Sequence, residues 1–137
     1  MKKIINYLSV FTLVLFLSNC DKSSTESTSV HELVGIWEQT ETTVTMGSSV
    51  TTVVPDDDNN QTMIFNEDGT FSYTGEIDGE IDTGNGTWST NSNKLTTIED
   101  GETMVMDYSI TGDVVTISIT DTTDGETVTI EMKFNKQ

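Results

Sequence analysis

The chain has 137 residues, of which 23 are acidic, six are lysine and none is arginine, and its formal net charge is −17. Such a charge repels nucleic acid, anionic lipid headgroups and acidic substrates. Without arginine the chain also has no bidentate clamp for phosphate or carboxylate. The composition therefore excludes a nucleic-acid partner and favours a soluble, monomeric folded part.

The N-terminus has the layout of an export signal. Lys2 and Lys3 precede a mostly apolar run over residues 4–17, which ends at Leu17-Ser18-Asn19-Cys20. The run has the length of a signal h-region and is shorter than the roughly 20 residues of a transmembrane helix. Leucine, two small or polar residues and then cysteine resemble a bacterial lipobox. The resemblance implies cleavage after residue 19, lipidation of Cys20, and anchoring in the cell envelope at the outer membrane or its periplasmic face.

Removal of residues 1–19 leaves 118 residues, enough for one small domain. Four lysines against 23 acidic residues then give a formal charge of −19. Cys20 is the only cysteine, so the domain has no disulfide and depends on core packing and strand pairing. Residues 21–29 are polar and aperiodic. We therefore predict a lipidated, flexible tether over residues 20–31 and a folded domain over residues 32–137.

The domain begins with a predicted helical turn at Val30–Leu33, capped by Ser29. Alternating apolar and polar residues, separated by short turn signals, then predict strands over residues 34–46, 50–54, 61–66, 69–77, 84–90, 94–99, 102–111, 114–121 and 126–134. Several of the turns are Asp-Gly, the strongest short hairpin signal. The pattern predicts an all-β fold, an antiparallel up-and-down meander of eight to nine strands. Closure into a barrel removes the edge strands that an open sheet exposes, and an immunoglobulin-type sandwich is the alternative.

Three short motifs resemble those of the lipocalin and lipocalin-like families over about residues 32–136. They are Gly35-x-Trp37 after the helical turn, the run Phe65-Asn66-Glu67-Asp68-Gly69-Thr70-Phe71, and Gly86-Thr87-Trp88. The resemblance implies that Trp37 closes the bottom of a barrel and that Gly35 lets the chain pass beneath it. It also implies that any ligand sits at the opposite, open end.

Strand alternation predicts which side chains point inward. Met104, Met106, Tyr108 and Ile110 share one face of their strand, as do the apolar residues of the two strands that follow. Glu38, Asp107 and Glu131 fall on the opposite phase, so strand-borne carboxylates are expected to face water. The candidate ligand-binding residues are aromatic or methionine: Trp37, Tyr73, Trp88, Met104, Met106 and Tyr108. The same residues would equally form a filled core, and a barrel of this size allows either outcome.

Enzymatic and metal chemistry find little support in this sequence. His31 is the only histidine and lies at the tether boundary, so a Ser-His-Asp arrangement and a zinc site are both disfavoured. The loop from Asp56 to Asn60 is rich in oxygen ligands but lacks EF-hand spacing, which favours a solvated loop. The alternation from Glu76 to Asp82 fits either one strand or a turn at Asp78-Gly79. We predict no enzyme activity, no cofactor and no metal.

Two functions remain open at this point. The first is a lipid-anchored lipocalin-like module of the envelope that binds a small hydrophobic ligand inside its barrel. The second is a structural or interaction lipoprotein with a filled barrel, acting through its acidic surface and loops.

Overall fold

A computed structural model describes residues 30–123 and 125–137 of the chain. The predicted signal peptide, the predicted lipidation site Cys20 and most of the predicted tether lie outside the described residues. Within the described part, the regular secondary structure is entirely β. No helix there has the length and apolar character needed to cross a membrane.

Nine antiparallel strands make up the part of the domain that the structure describes. They are β1 (Gly35–Met46), β2 (Ser49–Val53), β3 (Asn60–Phe65), β4 (Thr70–Ile77), β5 (Glu80–Asn91), β6 (Lys94–Glu99), β7 (Glu102–Thr111), β8 (Val114–Thr123) and β9 (Glu126–Lys136). Eight of them pair in the order β1-β3-β4-β5-β6-β7-β8-β9, and β9 pairs back onto β1. The predicted all-β meander closed into a barrel is confirmed, and the sandwich alternative is wrong.

Strand β2 stands apart from the closed barrel. β1 pairs with β3 through residues 35–38 and with β2 through residues 42–46, while β9 covers its other side. A bulge at Thr40 separates the two halves of β1, and the Thr40 hydroxyl donates to the carbonyl of Lys133 at 3.2 Å. Among the described residues, β2 pairs only with β1. The outer side of β2 is therefore an edge to which no described strand is bonded. We had expected closure of the barrel to remove all strand edges.

The predicted helical turn is a single hydrogen-bonded turn. The Val34 amide donates to the His31 carbonyl at 2.9 Å, and His31 Nδ1 accepts from the Leu33 amide at 3.1 Å. The strand begins at Gly35, directly after the turn, so the chain has no room to wind further.

The start of β5 also differs from the prediction. It begins at Glu80 rather than at residue 84, because Asp78 and Gly79 adopt positive φ of 52° and 78° and form a two-residue hairpin turn. Glu76 and Asp82 therefore belong to different strands. Asp82 pairs with Gly75, which places the two on the same side of the sheet.

The buried core lies towards the end of the barrel where β1 begins. Its residues are contributed by the turn before β1 and by strands β1, β3, β4, β6, β7, β8 and β9: Leu33, Trp37, Met63, Phe65, Phe71, Leu95, Met106, Val115, Ile117 and Phe134. We call this end the closed end. The opposite, open end carries the β2–β3, β4–β5 and β6–β7 connections.

Candidate functional site

Trp37 seals the closed end. Its side chain is 1% exposed, and its indole Nε1 donates to the Leu33 carbonyl at 2.7 Å. Leu33 is itself fully buried, so the turn before β1 lies across the barrel bottom as a plug. The ammonium of Lys136 lies 5.1 Å from the centroid of the Trp37 ring and donates to the Glu32 carbonyl at 3.0 Å. The role that the resemblance implied for Trp37 is the one that it has in the structure.

Gly35 has a backbone reason to be glycine. Its φ is 140°, a region that L side chains rarely adopt, and a Cβ there would lie 2.8 Å from Cε of Lys136. The absent side chain lets Lys136 cross beneath the barrel and reach Trp37.

The run from Phe65 to Phe71 and the motif Gly86-Thr87-Trp88 also meet at the closed end. The turn of the β3–β4 hairpin is held by Asp68, whose carboxylate accepts from the Thr70 amide at 2.9 Å and from the Thr70 hydroxyl at 2.6 Å. These hydrogen bonds lower the pKa of Asp68 below its ordinary value. Trp88 Nε1 donates to the Asn66 carbonyl at 3.1 Å. Its ring meets Phe65 edge to face at 5.4 Å and His31 at 5.3 Å. All three family-like motifs are thus used to build the closed end.

The open half of the barrel contains a hollow of about 310 Å³. Its walls come from five barrel strands, from β2 and from the β2–β3 loop. Apolar contributions include Val53, Ile77 and Met132, and polar ones include Gln39, Gln61 and Asp82. The volume is at the lower end of the range for small-molecule sites. From the sequence, the interior could be either a filled core or a ligand cavity. The closed half of the barrel is filled, whereas the open half contains the hollow.

Carboxylates enter this open half. Asp82 shares the inward side with Gly75, its strand partner, and Glu99 follows the buried Thr97 by two residues on β6. Asp82 is nevertheless exposed, in agreement with the expectation that strand-borne carboxylates face water, whereas Glu99 is half-buried. Glu38, Asp107 and Glu131 lie on the outer phase. The inward phase of Asp82 depends on the turn at Asp78-Gly79, which the sequence left open.

The Tyr73 ring lies beside Glu99. A Cβ on Gly84 would overlap both the Tyr73 ring and Glu99 Oε1, so both groups rest over the bare backbone of β5. Burial raises the pKa of the Tyr73 phenol, and the negative charges of Glu99, Asp82 and Asp100 raise it further. The phenol is therefore a neutral hydrogen-bonding group at neutral pH.

The six candidate ligand-binding residues do not form one group. Trp37 and Met106, the latter 6% exposed, belong to the packed core, and Trp88 and Tyr108 pack against it. Met104 is 52% exposed at the open end of β7, although we expected it inside, because the core does not extend that far along the strand. Tyr73 also packs against the core, and its ring lies beside Glu99 over Gly84. That any of the six contacts a ligand stays a prediction.

The residues that line the hollow were mostly not selected from the sequence. Gln61 alternates with the buried Met63 and Phe65 on β3, so strand phase could have identified it. Asp82 required the turn at Asp78-Gly79. Gln39 follows the buried Trp37 by two residues, so strand phase could have identified it as well. Thr42 required the bulge at Thr40, which no pattern in β1 announces.

His31 and the acidic loop have structural roles here. His31 Nε2 lies 2.9 Å from the Thr90 hydroxyl at the closed end, away from the hollow. In the β2–β3 loop, Asp56 Oδ1 accepts from the Asp58 amide at 3.1 Å, and the Gly79 amide donates to the Asp58 carbonyl at 3.2 Å. Over residues 30–123 and 125–137, no three His, Cys, Asp or Glu side chains are grouped as metal ligands would be.

The comparisons with known proteins agree with this geometry. The model of a protein family described as a lipocalin-like domain matches residues 33–107, which run from the plug before β1 into β7. No curated protein sequence matches the chain.

Proposed function

Since the chain belongs to the lipocalin-like domain family, we propose that it binds a small hydrophobic molecule in the open half of its barrel. The observation that carries this proposal is the hollow of about 310 Å³ above a packed floor. Val53, Ile77 and Met132 would contact the apolar body of the ligand, and removal of this surface from water would supply most of the affinity. Gln39 and Gln61 would orient its polar end.

The test is to fill the hollow. Thr42 lines it from β1, whereas Thr43 points to the other side of the same strand. Thr42→Phe should abolish co-purification of a small molecule, as read by native mass spectrometry of protein isolated from its own envelope, and Thr43→Phe should leave it unchanged. Equal loading of the two variants, or no bound molecule in the parent protein together with no ligand-stabilised melting across an apolar library, would sink the proposal.

We further propose that the domain works as a lipid-anchored protein of the cell envelope. The support is the run from Lys2 to Cys20, whose charged start, apolar middle and terminal cysteine fit an acylated export signal. Cys20→Ala should lose labelling by radioactive palmitate and leave the membrane fraction. Ser18→Ala, which keeps the thiol, should retain both. Palmitate on the alanine variant would contradict acylation at Cys20.

A second candidate is favoured by one observation: the outer edge of β2 pairs with no strand within residues 30–123 and 125–137. Residues 42–55, which include this strand, carry no charge in a strongly acidic chain, and Val50 is 63% exposed. An uncharged edge of this kind accepts an added strand from a protein partner. If the hollow took up no small molecule, binding of a protein partner at β2 would remain as the proposed function of the domain.

A further inference from the structure

The side chains that enter the open half of the barrel determine the charge of what it can hold. Asp82 lines the hollow itself. Glu99 Oε1 lies over Gly84, beside the Tyr73 ring. Neither carboxylate makes a hydrogen bond or ion pair to another residue of the described part. Both are therefore available to an occupant.

No lysine in the described part neutralises these groups. Lys94 pairs with Asp107 at 2.7 Å and Lys133 pairs with Glu41 at 2.7 Å, both on the outer phase of the barrel. Lys136 lies over Trp37 at the closed end. The three lysines of residues 30–123 and 125–137 are thus all committed elsewhere, and the interior of the open half is negative.

The rim has the same sign. Asp78 and Asp100 lie in the β4–β5 and β6–β7 turns. Glu80 and Glu102 begin the strands that follow these turns, near Asp82 and Glu99. A cleft lined by one sign of charge raises the local concentration of the opposite ion and repels its own. The raised pKa of Tyr73 is consistent with this field, since its causes after burial are Glu99, Asp82 and Asp100.

Resting on the function proposed above, we propose that the molecule held in the open half is a cationic amphiphile: a primary or substituted amine, protonated at neutral pH, on a short apolar body. The ammonium lies against Asp82 and is within the field of Glu99, and the apolar body lies against Met132, Val53 and Ile77. Anionic amphiphiles such as fatty acids are excluded, because they would place a carboxylate among carboxylates with no lysine or arginine to receive it.

Three probes of equal chain length separate charge from apolar burial: hexylamine, hexanol and hexanoate. The full chain is held in neutral phosphatidylcholine nanodiscs, and empty nanodiscs serve as the calorimetric blank. We expect hexylamine to bind about tenfold tighter than hexanol, equivalent to about 1.4 kcal/mol, and hexanoate not to bind. Asp82→Asn should remove most of the preference for the amine and leave hexanol binding unchanged. Glu99→Gln should have a smaller effect in the same direction.

The controls distinguish the hollow from the acidic exterior. Glu38→Gln removes a carboxylate from the outer phase of β1 and should leave the preference for hexylamine intact. Thr42→Phe should abolish binding of both hexylamine and hexanol. Hexylamine binding that survives Thr42→Phe would overturn the inference by placing the amine on the outer surface. Equal affinity for all three probes would overturn it while leaving the proposed function standing, and failure of all three to bind would remove the proposed function as well.

Discussion

The indole N–H of Trp37 donates a 2.7 Å hydrogen bond to the carbonyl of Leu33, four residues earlier, with both residues buried. This bond ties the plug to the first strand and fixes the floor of the barrel. The hollow lies above this floor, so its shape depends on the packed half of the barrel being stable without a ligand.

The Trp37 bond can be tested without emptying the core. Trp37→Phe keeps an aromatic ring but leaves the Leu33 carbonyl without its donor, and should lower the free energy of unfolding by about 1–3 kcal/mol. Trp88→Phe, which removes a more exposed indole N–H, should lower it less. Urea unfolding followed by circular dichroism measures both. A larger loss for Trp88→Phe would show that the plug is not what stabilises the closed end.

Two glycines on β5 should differ in their tolerance of a methyl group. A Cβ on Gly86 would overlap the backbone carbonyl oxygen of Ile98, whereas one on Gly84 would overlap only the side chains of Glu99 and Tyr73. Gly86→Ala should therefore destabilise the protein by about 1–3 kcal/mol, as overpacking does. Gly84→Ala should destabilise it less but displace Glu99 and weaken hexylamine binding. Equal losses of stability would contradict the distinction between overlap with backbone at Gly86 and overlap with side chains at Gly84.

The Tyr73 phenol should make stability depend on pH in the alkaline range. Its pKa is raised in the folded protein, so above about pH 10, the ordinary tyrosine value, the unfolded chain releases a proton that the folded chain retains. The folded state then binds more protons, and stability falls as pH rises. Tyr73→Phe should remove this component, so its urea midpoint should fall less between pH 8 and pH 11 than that of the parent. Tyr108→Phe controls for loss of a phenol elsewhere, and identical pH profiles for parent and Tyr73→Phe would contradict the assignment.

The Asp68 turn gives an acid-side prediction of opposite sign. The two hydrogen bonds from Thr70 favour the ionised carboxylate, so their contribution is present above about pH 4, the ordinary aspartate value, and is lost as pH falls through the lowered pKa of the folded state. Thr70→Val removes the hydroxyl donor and should bring the Asp68 pKa back towards its ordinary value. Carbon-detected NMR titration of the carboxyl measures the shift. No change on Thr70→Val would mean that the backbone amide alone is responsible.

The sequence predicted the fold closely because strands and turns in a meander are local features. Gly101, Gly112 and Gly125 each follow or accompany an aspartate at a hairpin turn, and alternation fixed the phase of β7, β8 and β9. The site was less predictable for two reasons. Thr42 enters the hollow because of a bulge at Thr40, which is an event of pairing with β9. Asp82 enters it because Asp78 adopts a positive φ, which aspartate permits but does not require.

The aromatic candidates show a further reason. Trp37 and Trp88 looked like a ligand surface because aromatic side chains suit apolar ligands, yet the same property makes them floor and wall of the packed half. Which of the two roles applies depends on how far along the strands the core extends, and Met104, outside the core on the same face of β7 as Met106, marks that limit.

Amide and indole NMR during a hexylamine titration tests the half-filled barrel most directly. The indole N–H of Trp37 reports on the floor, and the amides of Thr42, Gln61 and Gly75 report on the hollow. We predict saturable shifts at these three amides and a stationary Trp37 indole signal. Saturable shifts at the Trp37 indole, or shifts confined to outer residues such as Glu38, would contradict a ligand held above a packed floor.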